Sequence, residues 1–525
     1  MVPRLKRIAV FLVIAFLLST LPMSARVAAQ GVPGTTGLYL RKSLQFFDVG
    51  STEIPIVAVA AGFGGSRSTI KKVRVSVGSS SAEQSGSWRA VDAGPAFPDR
   101  QSFDRAWAAY QSPGTKKGTA LGLSKSVDNF LASAASAFDT IHVDVPKPAG
   151  ARPGDRYDVT VQGVLDSGQT VTSTATAVAQ SLSAPTDWVL GDIHIHSTYS
   201  DGIQLSDIRS RAQSLGHSFT YVTDHIDLIR AGVGWNTYYN DVSNASVLPY
   251  VMVPGLEVTC SDDNLDGRYD GDALGYGLPS DTDPTLIQNK SQNCYWTVQD
   301  IQVYGGYASA GVAHPNGDPA WAVQGTGYKS VQTLGNLTNG DSEPFWTSSM
   351  INYSSTCRPS ATAGSDLHSV FDSMGPATWL YASGWGNAST VTDKQNTISR
   401  ALYEGKTAAT EQSDLAFFKM QGLYPGSDVV SSTGATVYYD VNLYAPNNGY
   451  EVQMTWDFYR GSTRINGGTT AVLPSGSFYS WPSLPTTVQS GRNGYYLIVR
   501  FDYVYQGMVA FSNTAYCGPT YTQTP

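Results

Sequence analysis

A parallel β/α barrel set between two β-sandwiches is the α/β architecture that this sequence predicts, and three observations carry it. Period-two apolar alternation fills the first and last parts of the chain, as in Val73, Val75, Val77 and in Val437, Tyr439, Val441, Leu443, which is the pattern of strands with one face in a core. The middle part changes to strand, amphipathic helix, strand. Short motifs rich in His, Asp and Glu close the strands of that middle part, and functional groups gathered beyond the C-terminal ends of strands mark a parallel barrel.

In chain order, the first element of the 525 residues is an export signal. Arg4, Lys6 and Arg7 precede an unbroken apolar run, Ile8 to Leu18, and Val27-Ala28-Ala29 supplies small residues for cleavage before Gln30. The run is short for a bilayer span, so residues 1–29 read as a secretory signal peptide, and the mature protein is expected outside the cytoplasm with no transmembrane anchor. The chain has 34 basic and 42 acidic side chains; loss of Arg4, Lys6, Arg7 and Arg26 with the signal leaves 30 against 42, a net charge of −12. Duplex nucleic acid would be repelled by such a surface, whereas a small phosphorylated compound is not excluded.

Residues 30–185 form the first predicted sandwich. Val73, Val75 and Val77 are followed by Ile141, Val143, Val145 and by Tyr157, Val159, Val161, with Gly, Pro and Asp between the runs, and Ser102 to Ala137 reads as a helical insertion. Residues 186–412 form the barrel. Trp188 to His196 is its first strand, and Ser206 to Leu215 a helix with apolar Leu205, Ile208, Ala212 and Leu215, stopped by Gly216. Phe219 to Thr223 is the next strand, and further strands are traced at Tyr250 to Val253, Tyr307 to Ala313 and Ile351 to Tyr353, before a helix at Lys394 to Tyr403 that Gly405 ends. Residues 413–525 form the second sandwich, with Val452, Met454, Trp456, Phe458 and then Leu497, Val499, Phe501 repeating the alternation. The aromatic residues of the two sandwiches are of the kind used to bind polysaccharide or a cell surface. Cys260, Cys294, Cys357 and Cys517 are an even set in an exported chain, which predicts one or two disulfides; none is spaced C-x-x-C, so a thiolate metal site is the weaker reading.

The chemistry lies in the middle part. Five of the seven histidines fall in four motifs: G-D-I-H-I-H-S-T-Y-S-D-G at Gly191 to Gly202, T-D-H at Thr223 to His225, A-H-P at Ala313 to Pro315 and G-S-D-L-H at Gly364 to His368. P-G-L-E at Pro254 to Glu257 adds a carboxylate. His194 and His196 are two apart on a strand, so both rings share a face and can grip one ion. Asp201 follows in a turn, Asp366 and His368 repeat the two-apart spacing, and the two oxygens of Glu257 can bridge a pair of ions, which imidazole cannot do. Asp192, on the same face, is expected to orient an imidazole through its distal N–H. A lone H-x-H is usually incidental and A-H-P alone says nothing; the joint, ordered occurrence is what points to a catalytic centre of two or three divalent ions. His142 and His217 lie outside these motifs and read as structural or surface residues.

The ordered motifs resemble those of the PHP domain, the polymerase and histidinol phosphatase superfamily of metal-dependent hydrolases, over Trp188 to about Thr410. The resemblance implies a distorted (β/α)7 barrel in which His194, His196, Glu257 and Asp366 hold one ion, Glu257 and His314 a second, and Asp201, His225 and His368 a third. G-P-A-T-W-L-Y at Gly375 to Tyr381, A-L-Y-E-G-K-T-A-A-T at Ala401 to Thr410 and the closing A-F-S-N-T-A-Y are similar to the secreted, CehA/McbA-like branch that includes carbamate hydrolases. One position departs. Many members carry His in a segment G-H-x-L-G-Y-G-L, and here Gly271 to Leu278 has Asp272 in its place. A carboxylate ligand there makes the site harder and shifts preference from Zn toward Mn or Fe.

The neighbouring stretch also fits a calcium loop. Asp262, Asn264, Asp266 and Asp270 stand at its first, third, fifth and ninth positions with Gly267 at the sixth, although the twelfth is Ala273; a solvated acidic turn is the alternative. The reaction expected of the site is hydrolysis by a metal-activated water, first of a small phosphate ester or phosphodiester, otherwise of a carbamate, ester or amide. A non-catalytic cell-surface binding protein is the remaining class. Asp224, His225 or an ion-bound water would protonate the leaving group, and Arg230, Arg268 and Arg358 are candidates for holding a substrate anion.

Overall fold

The structure is a computed structural model that describes residues 36–42, 44–65, 68–111, 127, 130–131, 133–134, 139–182, 185–260, 271–287, 294–315, 327–335, 345–347, 359–369 and 374–523. The signal peptide expected at residues 1–29, the calcium loop expected at Asp262 to Asp270, the strand expected at Ile351 to Tyr353, and Arg268 and Arg358 lie outside the described residues.

The N-terminal part packs a four-stranded against a five-stranded sheet. The first joins Thr36–Leu40, Glu53–Gly62, Val91–Asp92 and Thr140–Pro146, the second Leu44–Asp48, Thr170–Gln180, Arg156–Leu165, Thr69–Val77 and Ser80–Arg89. Alternation decides which side chains face inward: Val73, Val75, Val77, Ile141, Val143, Val145, Val159 and Val161 meet in one core. Each fully buried valine there contributes about 2 kcal/mol. The helix Arg100–Gln111 covers the outer face of the first sheet, stacking Phe103 and Trp107 on Tyr39, Val57 and Val59. His142 sits at the seam with the central part, between Asp144 and Asp207.

The central part corrects the barrel expectation. Over all the described residues strand (50%) outweighs helix (17%), and the central strands form half-barrel sheets of mixed pairing sense, not a clear (β/α)7 barrel. Trp188–Ile195, Phe219–Val222 and Val251–Pro254 do pair in parallel. Ala377–Tyr381 runs antiparallel both to Trp188–Ile195 and to Thr407–Thr410. A separate five-stranded sheet holds Leu256–Thr259, Asp272–Tyr276, Ser309–Ala313, Ser330–Leu334 and Ser360–Ala363, and its first two pairings are antiparallel. Parallel neighbours require a crossover, usually helical; the connection from Cys260 to Gly271 is short and rich in Asp, Asn and Gly, so the chain returns instead. Single bridges, Ile195 to Leu367 and His225 to Glu257, link the two sheets at the ends where the motifs lie.

Helices match the apolar periodicity more closely. Leu205–Ser214 buries Ile208 and Ala212 and ends at Gly216, whose φ of 77° is the left-handed conformation that stops a helix without strain. Val391–Tyr403 is capped by the Thr390 hydroxyl, which accepts from the Asp393 amide, and ends before Gly405 at φ 72°. Among the described residues, no helix is long and apolar enough to cross a membrane.

The last part is strand-rich, and one of its two sheets continues the central one. Met508–Gln523 pairs with Thr407–Thr410 through Cys517 and Ala408, and the sheet runs on through Arg492–Tyr505 and Glu451–Arg460 to Thr463–Thr469. Leu415–Met420, Thr436–Tyr444 and Phe478–Thr487 form the facing layer. Val437, Tyr439, Val441, Met454, Trp456, Leu497 and Phe501 fill the core between them. Cys517 is a free, buried thiol and Cys260 is disulfide-bonded, so of the expected one or two bridges, two are excluded.

Asp414 is buried beside this core, its carboxylate accepting from the Tyr503 hydroxyl and, at 2.7 Å, from Asn513 Nδ2. Burial raises it to about 6 against those hydrogen bonds. The folded protein therefore takes up this proton before the unfolded chain does, and the stabilisation of about 3 kcal/mol is complete below about pH 4 and lost as pH rises through 6. Denaturation of Asp414→Asn at pH 4 to 7 should lack that loss relative to wild type; parallel curves would show that the carboxyl does not titrate this way.

Candidate metal centre

The strand Trp188–Ile195 is buried on both faces. Ile193 and Ile195 point into apolar clusters, while Asp192, His194 and then His196 face the site. The turn after it returns on itself, with the Gly202 amide donating to the Ser197 carbonyl at 2.9 Å, and this brings Asp201 over His196. His225 starts the helix Ile226–Ala231, but its ring turns toward Glu257 on the neighbouring strand instead of capping the helix. Asp272 and His314 come from adjacent antiparallel strands, in which Asp272 faces Ala313. Asp366 is tied to the first strand by its amide, which donates to the His194 carbonyl at 2.8 Å.

Nine side chains from these six segments converge into three adjoining groups, each with donor atoms within 4.8 Å of one another: His194, His196, Glu257, Asp366; then Glu257, Asp272, His314; then His196, Asp201, His225, His368. In the first group, His194 Nε2 stands 3.4 Å from Glu257 Oε1, 3.4 Å from Asp366 Oδ1 and 3.2 Å from His196 Nε2, and His196 Nε2 is 3.1 Å from Glu257 Oε2. Donors bonded to one ion at about 2.0–2.2 Å lie about 3.0–3.5 Å from each other, so these separations match those a coordination polyhedron requires. In the second, His314 Nε2 is 3.3 Å from Glu257 Oε1 and 3.6 Å from Asp272 Oδ2. The third is looser, with Asp201 Oδ1 at 3.5 Å from His368 Nε2 and Asp201 Oδ2 at 4.0 Å from His225 Nε2. Proximity puts His196 in two groups; its Nε2 serves the first, so we assign it there.

The donor set fits a cation. Glu257 Oε1 is buried without a well-formed hydrogen bond, although imidazole nitrogens surround it. Burial opposes its charge, yet His194, His196 and His314 hold Glu257 well below the usual carboxylate range. Burial likewise lowers His314, but Glu257, Asp366 and Asp272 outweigh it and bring the imidazole to about 9. Lone pairs and anions facing one another at these distances call for positive charge, supplied by protons or by metal. Backbone strain sits at the same place: His314 (φ 20°) and Asp366 (φ 50°) occupy left-handed conformations that non-glycine residues rarely adopt.

Exposure gives the centre a direction. His194, His196 and Glu257 are buried, whereas the side chains of His225 (22%), His368 (36%) and Asp201 (51%) border solvent. Among the described residues, the cluster is therefore open on the side of the third group.

Two role assignments change. Asp192 does not orient an imidazole: it accepts from the backbone amides of His194 and Ser365, both at 3.0 Å, because its carboxyl lies under the strand instead of beside a ring. Burial raises Asp192 to about 7 against those hydrogen bonds. Asp224 is fully buried and its oxygens accept from the Ser197 amide (2.7 Å), the Ser197 hydroxyl (2.5 Å) and the Ser200 hydroxyl (2.5 Å), so it braces the turn behind His196 and does not reach a leaving group. Ser200 in turn lies 3.3 Å from His196 Nδ1, and Gln332 Oε1 lies 2.9 Å from His194 Nδ1. Ser200 lies in the first motif but is assigned no role by it, and Gln332 lies in no motif; its signal was a lone amide within the otherwise small and apolar run S-V-Q-T-L. His142 and His217 lie away from the site, and burial lowers His217 to about 4. Arg230 is exposed on the helix Ile226–Ala231.

No protein-family model matches the chain. No curated protein does either. Among solved structures, it matches a Paenibacillus sp. cycloisomaltooligosaccharide glucanotransferase complexed with cycloisomaltoheptaose at 10% identity, over 93% of this chain and 72% of that one, with a TM-score of 0.17. A likeness that low supports no inference about fold or activity.

Proposed function

We propose that this chain is an exported metal-dependent hydrolase with a PHP-type ligand set, acting as a phosphoesterase on a small, anionic phosphate ester or phosphodiester. The observation that carries the reading is the convergence of nine His, Asp and Glu side chains into three groups joined through Glu257 and His196. Two or three divalent ions bound there, Mn, Zn or Fe given the mixed imidazole and carboxylate donors, would supply Lewis acidity and an acidified water.

The chain's own residues do the rest. His194, His196, Glu257 and Asp366 would fix the buried ion, His314 and Asp272 the second, and Asp201, His225 and His368 the one at the open side. With Asp224 committed to Ser197 and Ser200, the predicted proton donors that remain are an ion-bound water and, where it does not ligate the open-side ion, His225, which borders solvent. Carboxylate-rich walls would repel a free anion unless bound cations outnumber them, so a phosphate substrate and metal loading go together.

The test is hydrolysis by the purified protein, reloaded with Mn or Zn, on chromogenic phosphodiesters, phosphomonoesters, carboxyl esters and aryl carbamates, with His194→Ala as control. Turnover of phosphate esters that disappears in the variant is the expected result. Turnover of carbamates or esters alone would replace the phosphoesterase reading by the other hydrolase class, and near-wild-type activity in His194→Ala would remove the metal centre from the mechanism.

A further inference from the structure

We propose that Gln332 is the positioning residue of this centre, fixing the tautomer of His194 and the place of His314 through one neutral oxygen. The inference rests on the metal-centre reading above.

Gln332 lies on Ser330–Leu334 and is 1% exposed. Its Nε2 donates to the Gly364 carbonyl at 2.8 Å. A carbonyl can only accept, so this contact fixes which end of the amide is nitrogen. Oε1 then faces His194 Nδ1 at 2.9 Å and accepts from the His314 amide at 3.3 Å. Because Oε1 is an acceptor only, His194 Nδ1 must carry the proton, and Nε2 is left with its lone pair. Nε2 is the atom that faces Glu257, Asp366 and His196. One side chain thus ties together three motifs distant in sequence: His194 in the first, His314 in A-H-P, and Gly364 in G-S-D-L-H.

The choice of an amide has a chemical consequence. A carboxylate in this place would raise imidazole basicity and add another buried negative charge to a group that already has Glu257, Asp366 and Asp272. A neutral acceptor orients the ring without that charge. The backbone contact to His314 serves the same end, since a residue at φ 20° needs its neighbours to hold it.

Gln332→Glu and Gln332→Met both lose the donor to Gly364, but only Glu keeps an acceptor for His194 Nδ1, so their difference isolates the positioning contact. Binding of Mn²⁺ and Zn²⁺ alone would be measured by calorimetry, with the absorption spectrum of the Co²⁺-loaded protein as a second readout. Gln332→Met is expected to weaken the buried ion's affinity about 10–100-fold and to alter the Co²⁺ bands, the range seen for loss of partners behind metal-bound histidines. Gln332→Glu should stay within about tenfold of wild type. Equal losses in the two variants, or wild-type binding by Gln332→Met, would overturn the proposal. Absence of ion binding by the wild-type protein would instead overturn the metal-centre reading itself. Should Gln332→Met not fold, Gln332→Asn keeps the amide one methylene short of His194 and takes its place, with the same expected weakening.

Discussion

Replacing Glu257 by glutamine is expected to remove two ions at once. Its Oε1 stands 3.4 Å from His194 Nε2 and 3.3 Å from His314 Nε2, and its Oε2 stands 3.1 Å from His196 Nε2 and 3.4 Å from His225 Nδ1. Asp366 also faces imidazoles of all three groups, but it stands 3.4 Å from His196 Nε2 and 3.8 Å from His314 Nε2, so Glu257 approaches both more closely. Glutamine preserves the volume but turns one oxygen into an NH₂ that points hydrogens at nitrogen lone pairs, and the charge that balanced the imidazoles is gone. The loss of affinity should exceed the about 10–100-fold cost of removing an outer partner, because a direct, shared ligand is lost. Elemental analysis after dialysis should show wild-type protein retaining two or three ions and Glu257→Gln at most one. Asp201→Asn, at the solvent side with its side chain 51% exposed, should lose only the third. Equal metal content in wild type and Glu257→Gln would mean that the carboxylate does not bridge.

The contrast between what the sequence predicts and what the structure holds follows from what side-chain patterns encode. Period-two alternation tells which residues of a strand face inward, and Val73, Val75, Val77 and Val437, Tyr439, Val441 are buried as that rule requires. Alternation says nothing about pairing sense, since parallel and antiparallel strands share it. The barrel expectation failed there: Ala377–Tyr381 carries an apolar run like its parallel-paired counterparts yet runs antiparallel to both neighbours. Ser360–Ala363, four small residues with no apolar signature, was not legible as a strand at all. The boundary placed at residue 412 likewise could not foresee that Cys517 would continue the sheet beside Ala408.

The side chains that converge were more legible because metal chemistry, which the sequence pattern invokes, restricts residue type. A transition-metal site draws mainly on His, Asp, Glu and Cys, so their ordered recurrence at His194, His196, His225, Glu257, His314, Asp366 and His368 stands out against a chain of low charge. The residues behind them have no such restriction. Gln332, Ser197 and Ser200 act through hydrogen bonds of a kind that many polar side chains could make, and their contacts exist only once distant segments meet.

Gly364→Ala is expected to damage the centre without touching a ligand. A Cβ at Gly364 would lie 2.6 Å from the Cβ of His194 and 2.9 Å from its backbone nitrogen. Neither atom is the flexible end of a side chain, so the clash can be relieved only by moving one segment off the other. Those segments are joined by the Asp366 amide on the His194 carbonyl and the Ser365 amide on Asp192, and both contacts would lengthen. Overpacking of this kind costs about 1–3 kcal/mol. The displacement also separates His194 from Asp366, and a shift of about 1 Å is enough to spoil a site that depends on its supporting shell. Thermal denaturation of Gly364→Ala should therefore show a lower midpoint, and titration with Mn²⁺ should show weakened binding beyond what the lost stability explains. Gly386→Ala is the matched control, since a Cβ there meets nothing within 4 Å; it should change stability by no more than about 0.5 kcal/mol and leave metal binding intact. If Gly364→Ala behaves like that control, the close approach of G-S-D-L-H to the first strand is not what holds His194 beside Asp366.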